Sequence, residues 1–278
     1  MADGRNTDLS EIISKLWELD ENQLTPGEDF SIDLQGKTKV YNDGRQDKAS
    51  DPLFSFVKES VFKRETYKNF VALLDNYEQE TGLQEEVTEE EFRENCRFID
   101  SIMKTKVMKE AHKFLVSKGA SPRDEQAFKR QLYDIWFKLY RRTKGVRNSD
   151  SSGFEHVFVG ETRSGTDDVM GFHNWIQFYL QEKHGNIDYK GWIPPRGRRS
   201  HRPIDNPRLI SVQFSWKQDV KAVGSTFIGT SPEFEIALYT ICFLCGEDSN
   251  LIEVEDYTFE IVAHRWGKIL ASCYPVMK

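Results

Sequence analysis

The hydrophobic period of this chain changes partway along, and that change constrains its fold more than any other feature. In the first half, apolar residues recur at helical spacing. Leu9, Ile12, Ile13, Leu16 and Trp17 make one stripe, and Phe128, Leu132, Ile135, Trp136 and Leu139 make another. In the second half the pattern alternates: Ile210, Val212, Phe214 and Trp216 are interleaved with Ser211, Gln213 and Ser215. A period of two turns one face of a strand to a core and the other away. Together the patterns predict an α+β protein, with a helical N-terminal lobe over residues 1–145 and a β-rich region with two antiparallel sheets over 146–278. The chain is long for one average domain but suits a single two-lobed unit spanning 1–278. The join falls in TKGVRNSDSSG, a loop by its composition.

Local signals sharpen the boundaries. Thr88 and Glu91 are spaced for a capping box, and Gly119 and Gly185 are natural helix stops. Ser121 before Pro122, and Ser231 before Pro232, read as helix starts. Residues 51–77 suggest one or two further helices. The stretch GFEHVFVGE, residues 153–161, is rich in aromatic and β-branched types and reads as a strand. On a strand, Phe154, His156 and Phe158 share one face while Glu155 and Glu161 take the other. Neither glutamate is then the natural partner of His156, and the two lie about 20 Å apart along the strand.

Charge and cysteine content exclude some functions. With 45 acidic against 38 basic residues the net charge is −7, so any nucleic acid must be met locally and not by bulk charge. No apolar run reaches the length of a membrane span, and the polar start MADGRNTDLS does not read as a signal peptide. Of Cys96, Cys242, Cys245 and Cys273, only Cys242 and Cys245 are close. They sit in a continuous apolar run with no second pair to complete a zinc site, and read as buried thiols in a reducing compartment. A cytoplasmic or nuclear location fits these features, with secretion open if a leader has been removed.

Two histidines follow the central loop, His156 in the GFEHVFVGE stretch and His173 where a helix begins after Gly171. Lys221 comes later, and in an extended segment Lys221, Val223 and Ser225 share one face. Ser272 and Tyr274 likewise share a face of the final strand. Two imidazoles and a lysine can cleave RNA without a metal. One neutral histidine takes the 2′-hydroxyl proton, a protonated one gives a proton to the departing 5′-oxygen, and the cation offsets charge on the phosphorane. Arg196, Arg198, Arg199 and Arg202 lie in a loop that either grips RNA phosphates or only solubilises the chain. His112, His184, His201 and His264 are assigned no role.

GFEHVFVGE, GFHNWIQFYLQEKHGNIDYKGW, KAVGSTFIGTSPEFEIALYTICFL and the late YPV resemble the EndoU family of uridylate-specific endoribonucleases. The likeness is strongest to its animal, XendoU and placental protein 11, branch. SIDLQGK, LLDNYEQETG and TKVMKEAHKFL extend it into the helical half, so it runs from about Leu9. The resemblance implies cleavage of single-stranded, U-containing RNA, leaving 2′,3′-cyclic phosphate and 5′-hydroxyl ends. It puts the family's catalytic residues on His156, His173 and Lys221. By analogy with the more distant coronavirus members, His173 is the base and His156 the acid. Ser225, with Thr226 beside it, would read the uracil, Tyr274 would pack on its ring, and Ser272 stands where relatives often carry threonine. Animal members are described as dependent on manganese, with calcium an alternative, and Glu155 and Glu161 match carboxylates linked to activity. A shared ion requires the strand to bend, most easily near Gly160; otherwise the glutamates organise the fold. The expected protein is a monomer with no membrane partner. Two rivals remain: a metal-dependent phosphodiesterase in which Glu161, His156 and His173 hold an ion that activates water, and a non-catalytic RNA-binding module.

Overall fold

The helix over Pro232–Cys245 organises the molecule. Every residue from Pro232 to Phe243 is buried, so it is enclosed on all sides and carries no single apolar stripe. Ser231 caps it by accepting from the N–H of Phe234, with Pro232 in the first turn. The computed structural model describes residues 6–40, 47–163, 165–195 and 207–277. Their helices in chain order are α1 (Thr7–Leu19), α2 (Glu65–Val71), α3 (Glu89–Met103), α4 (Lys106–Ser117), α5 (Glu125–Trp136), α6 (Trp175–Lys183) and the central α7 (Pro232–Cys245). α1, α2 and α4 pack on α7. The indole N–H of Trp136 at the end of α5 donates to Thr240 of α7 at 2.9 Å. One hydrophobic core therefore runs through both halves of the sequence.

The strands are β1 (Phe30–Ile32), β2 (Phe54–Val57), β3 (Glu80–Thr81), β4 (Glu161–Arg163), β5 (Val169–Met170), β6 (Ile187–Trp192), β7 (Leu209–Trp216), β8 (Asp219–Phe227), β9 (Ser249–Val254), β10 (Tyr257–Trp266) and β11 (Ile269–Met277). The two antiparallel sheets expected of the second half are β6-β7-β8 and β11-β10-β9. Two smaller sheets accompany them: β1-β2, and β3-β4-β5 with β3 and β4 parallel. β11 also lies against β8 and β7, which sets the two larger sheets side by side. The α+β expectation holds.

Residues 51–77 hold one α-helix, α2, within the expected one or two, preceded by β2 and a short 3-10 turn over Glu59–Lys63. Two local expectations need correction. α5 is capped by Asp124, whose carboxylate accepts from the N–H of Ala127, and not by Ser121. The carbonyl of Pro122 is instead taken by His112 Nε2 at 2.7 Å, which holds that segment out of the helix. The largest correction falls on residues 153–161. Glu155–Val159 is a single π-helical turn, not a strand. Phe154 to Val159 are all buried, so the sequence carries no alternation there to separate strand from helix. Phe154 packs against Phe70, Phe98 and Phe137, and Phe158 against Phe70 and Trp136.

Candidate active site

The π-helical turn puts His156 where a strand could not. The N–H of Gly160 donates to the carbonyl of Glu155, five residues back, at 2.9 Å. Gly160 then takes φ 92°, and the chain turns into β4. That reversal brings Glu161 Oε2 to 2.6 Å from His156 Nδ1, so Glu161 is the partner of His156 after all. Arg142 Nε lies 3.2 Å from the same oxygen. Glu155 points elsewhere: one oxygen accepts from the N–H of Ser152, and a second carboxyl, Glu85, adjoins it.

His173 is held by main chain. Its N–H donates to the carbonyl of Val157 at 2.7 Å, and the N–H of Phe172 donates to the carbonyl of His156 at 3.0 Å. This approach requires Gly171, at φ 59°, because a Cβ there would lie 1.7 Å from the His156 carbonyl oxygen. Nδ1 of His173 is 2.9 Å from the carbonyl oxygen of Ser225. The Thr226 hydroxyl donates to the carbonyl of His173, and Asn174 caps α6 by accepting from Ile176 and Gln177. The ring of Tyr274 stacks on the imidazole of His173, with centroids 4.7 Å apart and planes 16° apart.

Both histidines face a groove of about 820 Å³ between the two larger sheets, also lined by Lys221, Ser225, Ser272 and Tyr274. Lys221 and Ser225 of β8 both line it although a bulge opposite Val212–Phe214 breaks the ladder between them, and Ser272 and Tyr274 share one face of β11, as the alternation anticipates. The Ser225 hydroxyl lies 3.2 Å from that of Ser211 on β7. Thr226 is set back, its hydroxyl committed to carbonyl oxygens. Of the nine residues singled out, six line the groove; Glu155, Thr226 and Glu161 do not, and Glu161 stands behind His156. Arg196, Arg198, Arg199 and Arg202 lie outside the described residues.

The two imidazoles are set up differently. A carboxylate and a carbonyl can only accept, so in each ring Nδ1 carries the proton and Nε2 is left for the groove. Burial and then the Lys221 cation hold His173 well below the ordinary imidazole range, so it stays neutral. Burial also lowers His156, but the Glu161 carboxylate pulls the other way. Burial would raise Glu161, yet His156 and Arg142 outweigh it and hold its carboxyl below the usual range. Burial brings Lys221 down to about 8, and it forms no ion pair among the described residues. Glu161 and Asp168 act on it only from beyond ion-pair distance, and a buried cation with no direct partner, beside two imidazoles, is a site prepared for an anion.

The sequence and the whole fold have close counterparts. The family described as Endoribonuclease XendoU matches residues 8–275. The chain belongs to the XendoU endoribonuclease family. It is 52% identical to uridylate-specific endoribonuclease B of Danio rerio, covering 99% of this chain and 98% of that protein. It is 48% identical to poly(U)-specific endoribonuclease-A of Xenopus laevis, covering 98% and 94% respectively. The solved structure of XendoU, described as a splicing-independent snoRNA-processing endoribonuclease, superposes with a TM-score of 0.87 at 48% identity, over 99% of this chain and 98% of that one.

Within this XendoU-type groove stand three residues that sequence reasoning passed over. Arg142 ties Glu161 to β11 by donating to the carbonyl of Ala271 at 2.6 Å. Ser211 pairs with Ser225, and His264 Nε2 sits 3.5 Å from the Tyr274 hydroxyl. Only Arg142 had a signal, the basic stretch around it with no carboxylate. The manganese or calcium expected at Glu155 and Glu161 does not fit their arrangement. Each glutamate keeps one buried oxygen without a hydrogen-bond partner, which is the kind of atom a hard cation takes. However, Glu161 is already neutralised by Arg142 and His156, and no group of three His, Cys, Asp or Glu gathers among the described residues.

Proposed function

We propose that this protein is an endoribonuclease that cuts single-stranded RNA at uridines, with the 2′-hydroxyl as nucleophile. Neutral His173 takes that proton at Nε2 while Lys221 offsets charge on the phosphorane. His156, its imidazolium supported by Glu161, gives a proton to the departing 5′-oxygen. The products are a 2′,3′-cyclic phosphate and a 5′-hydroxyl end. A bound phosphodiester also counters the Lys221 charge, which favours protonation of His156 in the complex. Ser225 with Ser211, and Ser272, offer hydroxyls to the uracil edge, and Tyr274 flanks the base while keeping His173 in plane.

The observation that carries this reading is the pairing of two imidazoles, each with Nδ1 fixed by an acceptor, around an unpaired buried lysine. The printed functions of the relatives, uridylate-specific and poly(U)-specific endoribonucleases, support the substrate. The water-activating rival is weaker because Glu161 is engaged by His156 and Arg142. An activating manganese or calcium ion would act away from these two carboxylates. The chain is read as one catalytic domain, and a monomer is the state proposed for it. Its free thiols suit a reducing compartment, and no helix among the described residues is long and apolar enough to cross a membrane. The test is cleavage of a short RNA with one uridine against the same RNA carrying 2′-deoxyuridine there, with end-group analysis. The deoxy substrate should resist cutting; efficient cutting of it, with plain phosphate ends, would overturn the transesterification.

A further inference from the structure

Beside the groove lies a surface that the reaction does not use. Trp266, at the tip of the β10–β11 hairpin, is 57% exposed. Its ring meets Tyr140 edge-on at 6.2 Å. Tyr140 in turn lies under the Arg142 guanidinium at 5.2 Å, and Arg142 lines the groove. Tyr140 also lies in the most basic stretch of the described chain. Residues 138–147, KLYRRTKGVR, hold five cations and no carboxylate in a chain of net charge −7. Lys138, Arg141, Lys144 and Arg147 are exposed and form no ion pair with any described residue. Arg142 alone is drawn inward, to Glu161 and the carbonyl of Ala271.

We infer that this surface is an extended subsite for the RNA strand on the 3′ side of the cut, with Trp266 stacking a base and Arg141 and Lys144 meeting phosphates. The inference rests on the uridine-endoribonuclease reading above. An exposed aromatic beside unpaired cations is what a single strand needs, since every base has a face to stack and every link carries a charge. The surface is continuous with the groove through Arg142, which stands behind Glu161 and His156. His156 protonates the 5′-oxygen of the departing fragment, so the strand at that end of the groove is the 3′ product. A subsite there gives binding energy to long RNA without touching the base that selects the cut.

The test uses two RNAs with a single uridine each, one extended by adenosines on the 3′ side and one on the 5′ side. The wild-type protein should favour the 3′-extended RNA in kcat/KM. Trp266→Ala should lower that preference on the order of tenfold. Arg141→Gln with Lys144→Gln should lower it too, and should flatten the slope of log KM against log salt by about 1–1.5, at roughly 0.7 per phosphate. Equal slowing on both RNAs would make these residues structural and overturn the subsite. An unchanged preference in both variants would assign the surface to another partner, and a loss confined to the 5′-extended RNA would reverse its polarity; either sinks the proposal. If the wild-type protein cuts both RNAs equally, only the subsite fails. If it cuts neither, the endoribonuclease reading fails with it.

Discussion

The two histidine regions solve one problem by different means. His156 sits on a π-helical turn and is backed by charge, with Glu161 at its Nδ1 and Arg142 beyond. His173 sits at a helix entrance and is backed by neutral groups, the carbonyl of Ser225 and the face of Tyr274. Under the proposed roles, the backing group, more than the ring, divides the labour. A carboxylate favours the imidazolium an acid needs, and a carbonyl beside a lysine cation keeps a base free of protons.

The largest effects should come from the rings themselves. His156→Ala and His173→Ala should each lower kcat on RNA by about 10²–10⁴. With a uridine 3′-phosphodiester whose leaving group is 4-nitrophenolate, which departs unaided, His156→Ala should recover most of its activity and His173→Ala none. Equal rescue of both would erase the distinction between the regions. Next in size is the backing carboxylate. Glu161→Gln should lower kcat by about 10- to 100-fold, the worth of a hydrogen bond to a charged group. NMR titration should then show His156 falling further while His173 holds; movement of both together would show that one network serves the two rings. The pH profile follows from Lys221. Because its pKa is down at about 8, its charge is present below that value and lost above it, so kcat/KM should decline on the alkaline side near pH 8. Lys221→Arg should move that limb upward, and a limb that stays put would belong to another group. The smallest effect concerns the neutral region. Tyr274→Ala should cost about two- to tenfold, as expected of one aromatic stack, and Tyr274→Phe less. A Phe variant as impaired as Ala would make the hydroxyl, with His264, the working part.

The sequence made some of this legible for physical reasons. Ser272 with Tyr274 lies on a regular stretch of strand, where alternation reports direction directly, while Lys221 and Ser225 reach the same groove across a bulge. The cap at Ser231 and the capping box at Thr88 are short-range chemistry and could be read from spacing. The turn at His156 could not. Its residues are buried from every direction by Phe70, Phe98, Trp136 and Phe137, and full burial removes the periodicity that separates one element from another. The partnership with Glu161 was hidden with it, since it exists only once the chain reverses at Gly160. Arg142 reaches Glu161 across 19 positions of sequence by way of the Tyr140–Ser151 bridge, a tertiary contact that local pattern does not encode.

The main-chain contact at Gly171 carries a consequence for anyone redesigning this groove. Two backbone hydrogen bonds join the segments bearing His156 and His173, with no side chain between them. The distance between the two imidazoles, the proposed proton acceptor and donor, is therefore a fixed dimension of the scaffold. Uracil pockets and strand-binding surfaces around it can be exchanged like fittings, while Gly171→Ala would move the mounting itself.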